Sequence, residues 1–273
     1  MARRRRTGKS RKGFIVLAAV LGVILVTVAV LLSPLFRIKT VEIDPMENYS
    51  KGEIFEYLKD LEGVNGFKAV MQNSSLSQSR SLFSLELVDL EDQIRFDCPY
   101  IESITVKYSP RSTVKVSCVE RGASFLTESS GMFLMCDSHG IALESFTAEN
   151  KPEGLPLVKG INLTAYKLGR SISDGKNENI DCAIKISGLL SQLSMESYID
   201  IIDVSDYNNI YLFCAPSLTV ELGNIRNIGV RLALLKGIMD KEGGLNGNSD
   251  GVLTLLDGRQ ATFVKSSDLE QDN

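Results

Sequence analysis

The residues that could carry chemistry are few and widely spaced. One histidine, His139, and five cysteines, Cys98, Cys118, Cys136, Cys182 and Cys214, are the whole supply of imidazole bases and soft ligands in 273 residues, and tryptophan is absent. Neighbouring cysteines stand 18 to 46 residues apart, with no C-x-x-C or C-x-H spacing, so no zinc or redox motif can be assembled locally. His139 lies in Asp137-Ser138-His139-Gly140, which reads as a solvated turn rather than a general base. Neither a phosphate-binding G-x-x-x-x-G-K-[ST] loop nor a G-x-S-x-G elbow occurs. Asp200 and Asp203 are the nearest approach to a carboxylate pair, but a spacing of three on a strand sends them to opposite faces. The expectation is a protein without catalytic residues, cofactor or metal.

The elements that carry these residues begin with a division of charge. The chain has 30 basic and 34 acidic residues, but residues 1–12 hold Arg3, Arg4, Arg5, Arg6, Lys9, Arg11 and Lys12 and no acid, leaving 23 against 34, a net of −11, for residues 13–273. Between the two poles runs FIVLAAVLGVILVTVAVLL, residues 14–32, without a charge. At about 1.5 Å per residue it spans roughly 28 Å, the thickness of a bilayer's hydrocarbon layer. The expected organisation is a basic cytoplasmic tail at 1–12, a transmembrane helix at 13–35 and an exported body, because cations flanking a span stay inside. Beside a span, topology and anionic lipid account for the basic run without nucleic acid. Five cysteines are an odd number for an exported body, and Cys118 and Cys214 read as small buried hydrophobes rather than disulfide partners. Asn48, Asn73 and Asn162 head Asn-x-Ser/Thr tripeptides, which keeps a type II membrane glycoprotein as an alternative.

The body reads as two α+β domains, 36–121 and 122–265, with a polar, disordered tail at 266–273. The first starts with alternation from Phe36 to Ile43. Ser50 with Glu53 then forms a capping box ahead of Ile54, Leu58 and Leu61, and Gly63 ends that helix. A second amphipathic helix carries Leu87, Leu90 and Ile94 on one face and Glu86, Asp89, Glu91, Asp92 and Arg95 on the other. Two strands follow, with Ile104, Val106 and Tyr108, then Val114, Val116 and Cys118, alternating with polar residues around Ser109-Pro110-Arg111. The second domain is mostly strand: a hairpin turning at 137–140, helices at 179–197 and 227–241, strands between them, and a last hairpin of 252–256 and 260–264 with Asp257-Gly258 as a type I′ turn.

In that order these segments resemble the FtsQ/DivIB family of bacterial division proteins. The resemblance rests on the basic tail and span, on FRIKTVEI at 36–43, which is similar to the start of a POTRA domain, and on LFSLELVDLEDQI (82–94), CPYIESITVKYSP (98–110) and VKVSCVER (114–121). It continues through LPLVKG (155–160), IDIIDV (199–204), TVELG (219–223) and ALLKGIM (233–239). Three departures are visible: a serine-rich insertion from Phe67 to Ser81, Ser109 where an aromatic is common before Pro110, and Ala123 where proline often follows Glu120-Arg121. The resemblance implies a POTRA-like strand-helix-helix-strand-strand domain and a β domain with two helices. It further implies a non-enzymatic scaffold at the division septum that binds bitopic coiled-coil proteins of the FtsB/DivIC and FtsL types and serves the septal peptidoglycan synthase complex. It carries partner contacts onto Leu255, Leu256, Gln260, Ala261, Thr262 and Phe263, on the last hairpin, while the residues alone allow those side chains to face the domain core instead. A membrane-anchored POTRA protein of polypeptide transport is the competing implication.

Overall fold

The computed structural model describes residues 10–74, 84–110, 112–163, 165–214, 217–241, 250–255 and 260–269. The chain divides into two compact units, one of residues 1–96 and 101–120, the other of 97–100 and 121–273. The architecture is mixed α+β, with one long apolar helix at the start.

That helix, α1 (Ser10–Leu31), has the length and composition to cross a membrane over Gly13–Leu31, and no part of that stretch is buried against protein. Thr27, its one polar side chain in the apolar run, donates its hydroxyl to the Val23 carbonyl at 2.9 Å, so no polar side chain of the run is left without a partner. A 3-10 turn at Pro34–Phe36 follows, then β1 (Thr40–Ile43), which begins four residues later than the alternation suggested.

Helix α2 (Lys51–Leu58) starts at the expected capping box. Ser50 Oγ accepts the Glu53 N–H while the Glu53 carboxylate accepts from the Ser50 N–H at 2.7 Å. Gly63 takes φ +75° just beyond the following 3-10 turn, Lys59–Leu61. Next comes α3 (Gly66–Gln72), inside the segment read as an insertion; residues 75–81 of that segment lie outside the described residues. Only Gly66 and Ala69 of α3 are buried, so its apolar periodicity is too short to register in the sequence. Helix α4 (Val88–Asp97) follows, then β2 (Ile101–Ser109) and β3 (Thr113–Glu120). The sheet runs β1-β3-β2, with β1 parallel and β2 antiparallel to β3. Ile54 and Leu58 of α2, Ile94 of α4, and Val106, Tyr108 and Val114 of the sheet are wholly buried. Each such aliphatic side chain contributes on the order of 1.5–3 kcal/mol by leaving water.

The second unit is one nine-stranded sheet with two principal helices. Its elements are β4 (Ala123–Ser129), β5 (Met132–Asp137), β6 (Ala142–Phe146), β7 (Leu157–Lys159), α5 (Glu178–Gln192), β8 (Ile201–Asp203), β9 (Ile210–Cys214), β10 (Leu218–Gly223), α6 (Ile228–Met239), β11 (Gly251–Thr254), β12 (Thr262–Lys265) and α7 (Ser266–Leu269). The strand order is β12-β11-β10-β9-β8-β7-β4-β5-β6. Neighbouring residues Phe125 and Leu126 enter different apolar clusters, as strand alternation requires. Phe125 joins Ile186 and Leu190 of α5 and Leu232 and Leu235 of α6, whereas Leu126 joins Met135 and Leu143. Strands β10 and β11 are parallel, so the chain between them must cross over, and α6 occupies that crossover.

Two expectations change at the C-terminus. Residues 266–269 form a short helical turn rather than disordered tail, while 270–273 lie outside the described residues. The last hairpin is present, but Thr254 faces Thr262, whereas a two-residue turn at Asp257-Gly258 would set Thr254 opposite Ala261. The turn residues themselves fall outside the described residues.

Candidate functional site

An unpaired strand edge is the feature of this chain best suited to recognition. In the first unit the outer side of β2 is occupied: Leu87 N–H donates to Val106 O at 2.8 Å, Tyr108 N–H to Leu85 O at 2.9 Å, and Val106 N–H to Glu91 Oε1 at 2.9 Å. Glu91, expected on the solvated face of its helix, is 3% exposed because it satisfies that strand N–H. In the second unit β6 is covered at its start, where Ala142 N–H donates to Arg170 O and Gly169 N–H to Ala142 O. Strand β12, at the other end of the sheet, pairs on one side only, with β11. Among the described residues none bonds its outer backbone, and every second N–H and C=O of such a strand points away from its neighbour.

The positions to which the resemblance carries partner contacts separate into two groups around this edge. Gln260, Ala261 and Thr262 are exposed. Leu255 is wholly buried, with its N–H donated to Glu221 O at 2.9 Å, and Phe263 is half-buried against the core that contains Leu255. Leu256 lies outside the described residues. A partner laid along β12 would therefore meet backbone and the Thr262 side chain, with Leu255 and Phe263 supporting the strand from behind. Gly251 permits the close approach of the two strands: a Cβ there would stand 2.3 Å from the Val264 carbonyl oxygen. Sequence reasoning passed over Gly251, and an isolated glycine at a strand start was the available signal.

The remaining polar groups take structural positions. His139 is exposed in its turn, and both its N–H and that of Ile141 donate to Asp137 Oδ1, at 2.9 and 2.8 Å. The other Asp137 oxygen accepts from Arg121 Nη1 at 2.9 Å. Asp203 accepts the Ser205 N–H at 2.9 Å, an Asx turn closing β8. All five cysteines are free thiols; four are buried, and Cys118, expected to be buried, is only partly so. Burial pushes the Cys182 thiol up to about 11 and the Cys214 thiol up to about 12, and raises Cys136 as well, so none of the three is a ready thiolate. No cluster of three or more His, Cys, Asp or Glu side chains among the described residues could hold a metal ion.

Over 105 residues the chain is 29% identical to the cell division protein DivIB of Clostridium acetobutylicum. That stretch is 38% of this chain and 41% of the relative's length. No protein-family model matches. The match points to a role in cell division, and together with α1 it fits a membrane-anchored division protein.

Proposed function

We propose that this protein is a non-enzymatic scaffold of the bacterial division septum, held in the cell membrane by α1 with its basic N-terminus inside and both α+β units outside. The likeness to DivIB carries the reading. Under it the first unit is a POTRA domain elaborated by α3, and the sheet order β1-β3-β2 behind α2 and α4 suits such a module. The partners are small bitopic coiled-coil proteins of the FtsB/DivIC and FtsL types, through which the scaffold recruits and regulates the septal peptidoglycan synthase complex.

Binding proceeds by strand addition at β12, whose outer backbone can pair with an extended segment of the partner. Ser266 N–H donates inward to Asp250 O and Leu255 N–H to Glu221 O, a register in which the N–H of Lys265 faces the open edge. Lys265→Pro removes that N–H, so it is expected to abolish pulldown of the coiled-coil partner from membranes, whereas Lys265→Ala retains most of it. Full capture by a folded Lys265→Pro protein rules out this edge as the site. The septal role has a separate test: a fluorescent fusion gathers at midcell before constriction, and uniform envelope labelling throughout the cycle contradicts the scaffold reading.

A further inference from the structure

We infer that the first unit carries a second membrane contact, an apolar strip with a cationic border that lies on the outer leaflet beside the exit of α1. The inference rests on the membrane-anchored reading of α1 and extends it from the helix to the folded domain.

The chain leaves α1 into a tightly bonded junction. Asn65 Nδ2 donates to the carbonyls of Leu31 and Ser33, both at 3.0 Å, and Asn65 Oδ1 accepts the Lys68 N–H at 3.2 Å. One side chain thus satisfies the open carbonyls at the end of α1 and caps the start of α3. Ile38 N–H donates to Val64 O at 2.8 Å, and Tyr108 Oη donates to Phe36 O at 3.0 Å. The start of α3 is therefore fixed at the level of the last turn of α1, where hydrocarbon gives way to headgroups.

Apolar surface continues outward from this point. Leu35 is 77% exposed and Met71 is 78% exposed. Between them the Phe36 and Phe67 rings meet edge to face at 5.2 Å, and Phe67 meets Tyr108 at 5.5 Å. Met71 stands four residues after Phe67 on α3 and so shares its side of the helix. Leu35, Phe36, Phe67 and Met71 form one strip that starts where the span ends, and large exposed side chains in such a place are costly in water.

Charge supports the same occupant. Residues 13–273 carry a net of −11, yet the two segments at the junction, 33–41 and 64–73, contain Arg37, Lys39 and Lys68 and no acid. All three cations are exposed. An apolar strip bordered by lysine and arginine is the pattern of an interfacial contact, with side chains about 5–10 Å deep at the boundary of headgroup and acyl chain and cations at the lipid phosphates.

The absence of tryptophan makes the test direct. The full chain is reconstituted in nanodiscs containing anionic lipid, with acyl chains brominated near the glycerol, as four single-tryptophan variants. Leu25→Trp marks the span, Leu35→Trp and Met71→Trp the strip, and Val119→Trp an exposed site near the far end of β3, about 20 Å along the strand from Thr113. The expected result is about twofold or greater loss of emission, relative to unbrominated lipid, at positions 25, 35 and 71, with position 119 unchanged. Loss at 25 without loss at 71 overturns the inference, whatever position 35 does. No loss at 25 refutes the membrane span itself, a failure distinct from that of the strip. A tryptophan at 71 that is untouched by bromine yet shielded from aqueous iodide shows that protein, a partner or a second copy, covers the strip, and this also overturns the lipid assignment.

Discussion

Asp137 anchors a turn and an ion pair at once. It accepts from the backbone of His139 and Ile141 and from Arg121, whose side chain is 18% exposed against 4% for Asp137 itself. Asp137→Ala leaves two turn N–H groups and a half-buried guanidinium without their acceptor, an expected loss of about 2–4 kcal/mol in denaturant unfolding. Asp137→Asn keeps an acceptor for the turn and should lose less than half as much. The thiols make a second prediction at this scale. Cys136, Cys182 and Cys214 are raised by burial, so between the ordinary thiol value and about 11 to 12 the unfolded chain ionises while the native one stays protonated. Their contribution to stability is complete below that window and is lost as pH rises through it. Unfolding midpoints should therefore fall from pH 8 to pH 10.5, and by a smaller amount in a triple Cys→Ala protein, each variant being compared with its own midpoint at pH 8.

At the scale of elements, α3 is the piece that sequence patterning missed, and its packing explains both the omission and its importance. A Cβ on Gly66 would stand 2.1 Å from the Tyr108 ring, so Gly66→Ala must displace an aromatic side chain in the core of the first unit. The expected cost is about 1–3 kcal/mol, read from the urea midpoint. Asn65→Ala should weaken the junction with α1 and reduce bromolipid quenching at a tryptophan in position 71 while leaving quenching at position 25 intact. Elements with clear local patterns were legible: the capping box at Ser50 and Glu53 and the alternation of β2 and β3 appear where the residues place them, whereas α5 ends at Gln192, five residues short of the helix expected at 179–197. Glu91 was misread because its partner is a strand N–H that no helical pattern reveals. The parallel pairing of β10 with β11 was equally hidden, since it is made through a crossover rather than through neighbouring residues. Of the contact positions that the resemblance implies for the last hairpin, Leu255 is buried in the core, the alternative that the residues alone had left open.

For the whole molecule, the proposed orientation rests on the seven cations of residues 1–12. Replacing Arg3, Arg4, Arg5, Arg6, Lys9, Arg11 and Lys12 by glutamine should leave insertion intact but mix the two orientations. A cysteine-labelling reagent that cannot cross the membrane, applied to a Ser267→Cys reporter, should then label a smaller fraction of the protein in intact cells. Cys118, only partly buried, is replaced by serine in the reporter protein, the other four cysteines are buried, and the reporter residue is exposed.

The Asn65 junction has a mechanical consequence. A flexible linker would let the folded body swivel while its anchor turned in the bilayer, so that neither would register the motion of the other. Here a single amide grips the end of one helix and the beginning of the next, and the neighbouring chain is bonded on both sides. Torque applied to α1 by a neighbouring span would be delivered to the first unit as rotation, and a pull on that unit would tilt α1. The anchor and the first unit then work as a lever with its fulcrum at the membrane surface.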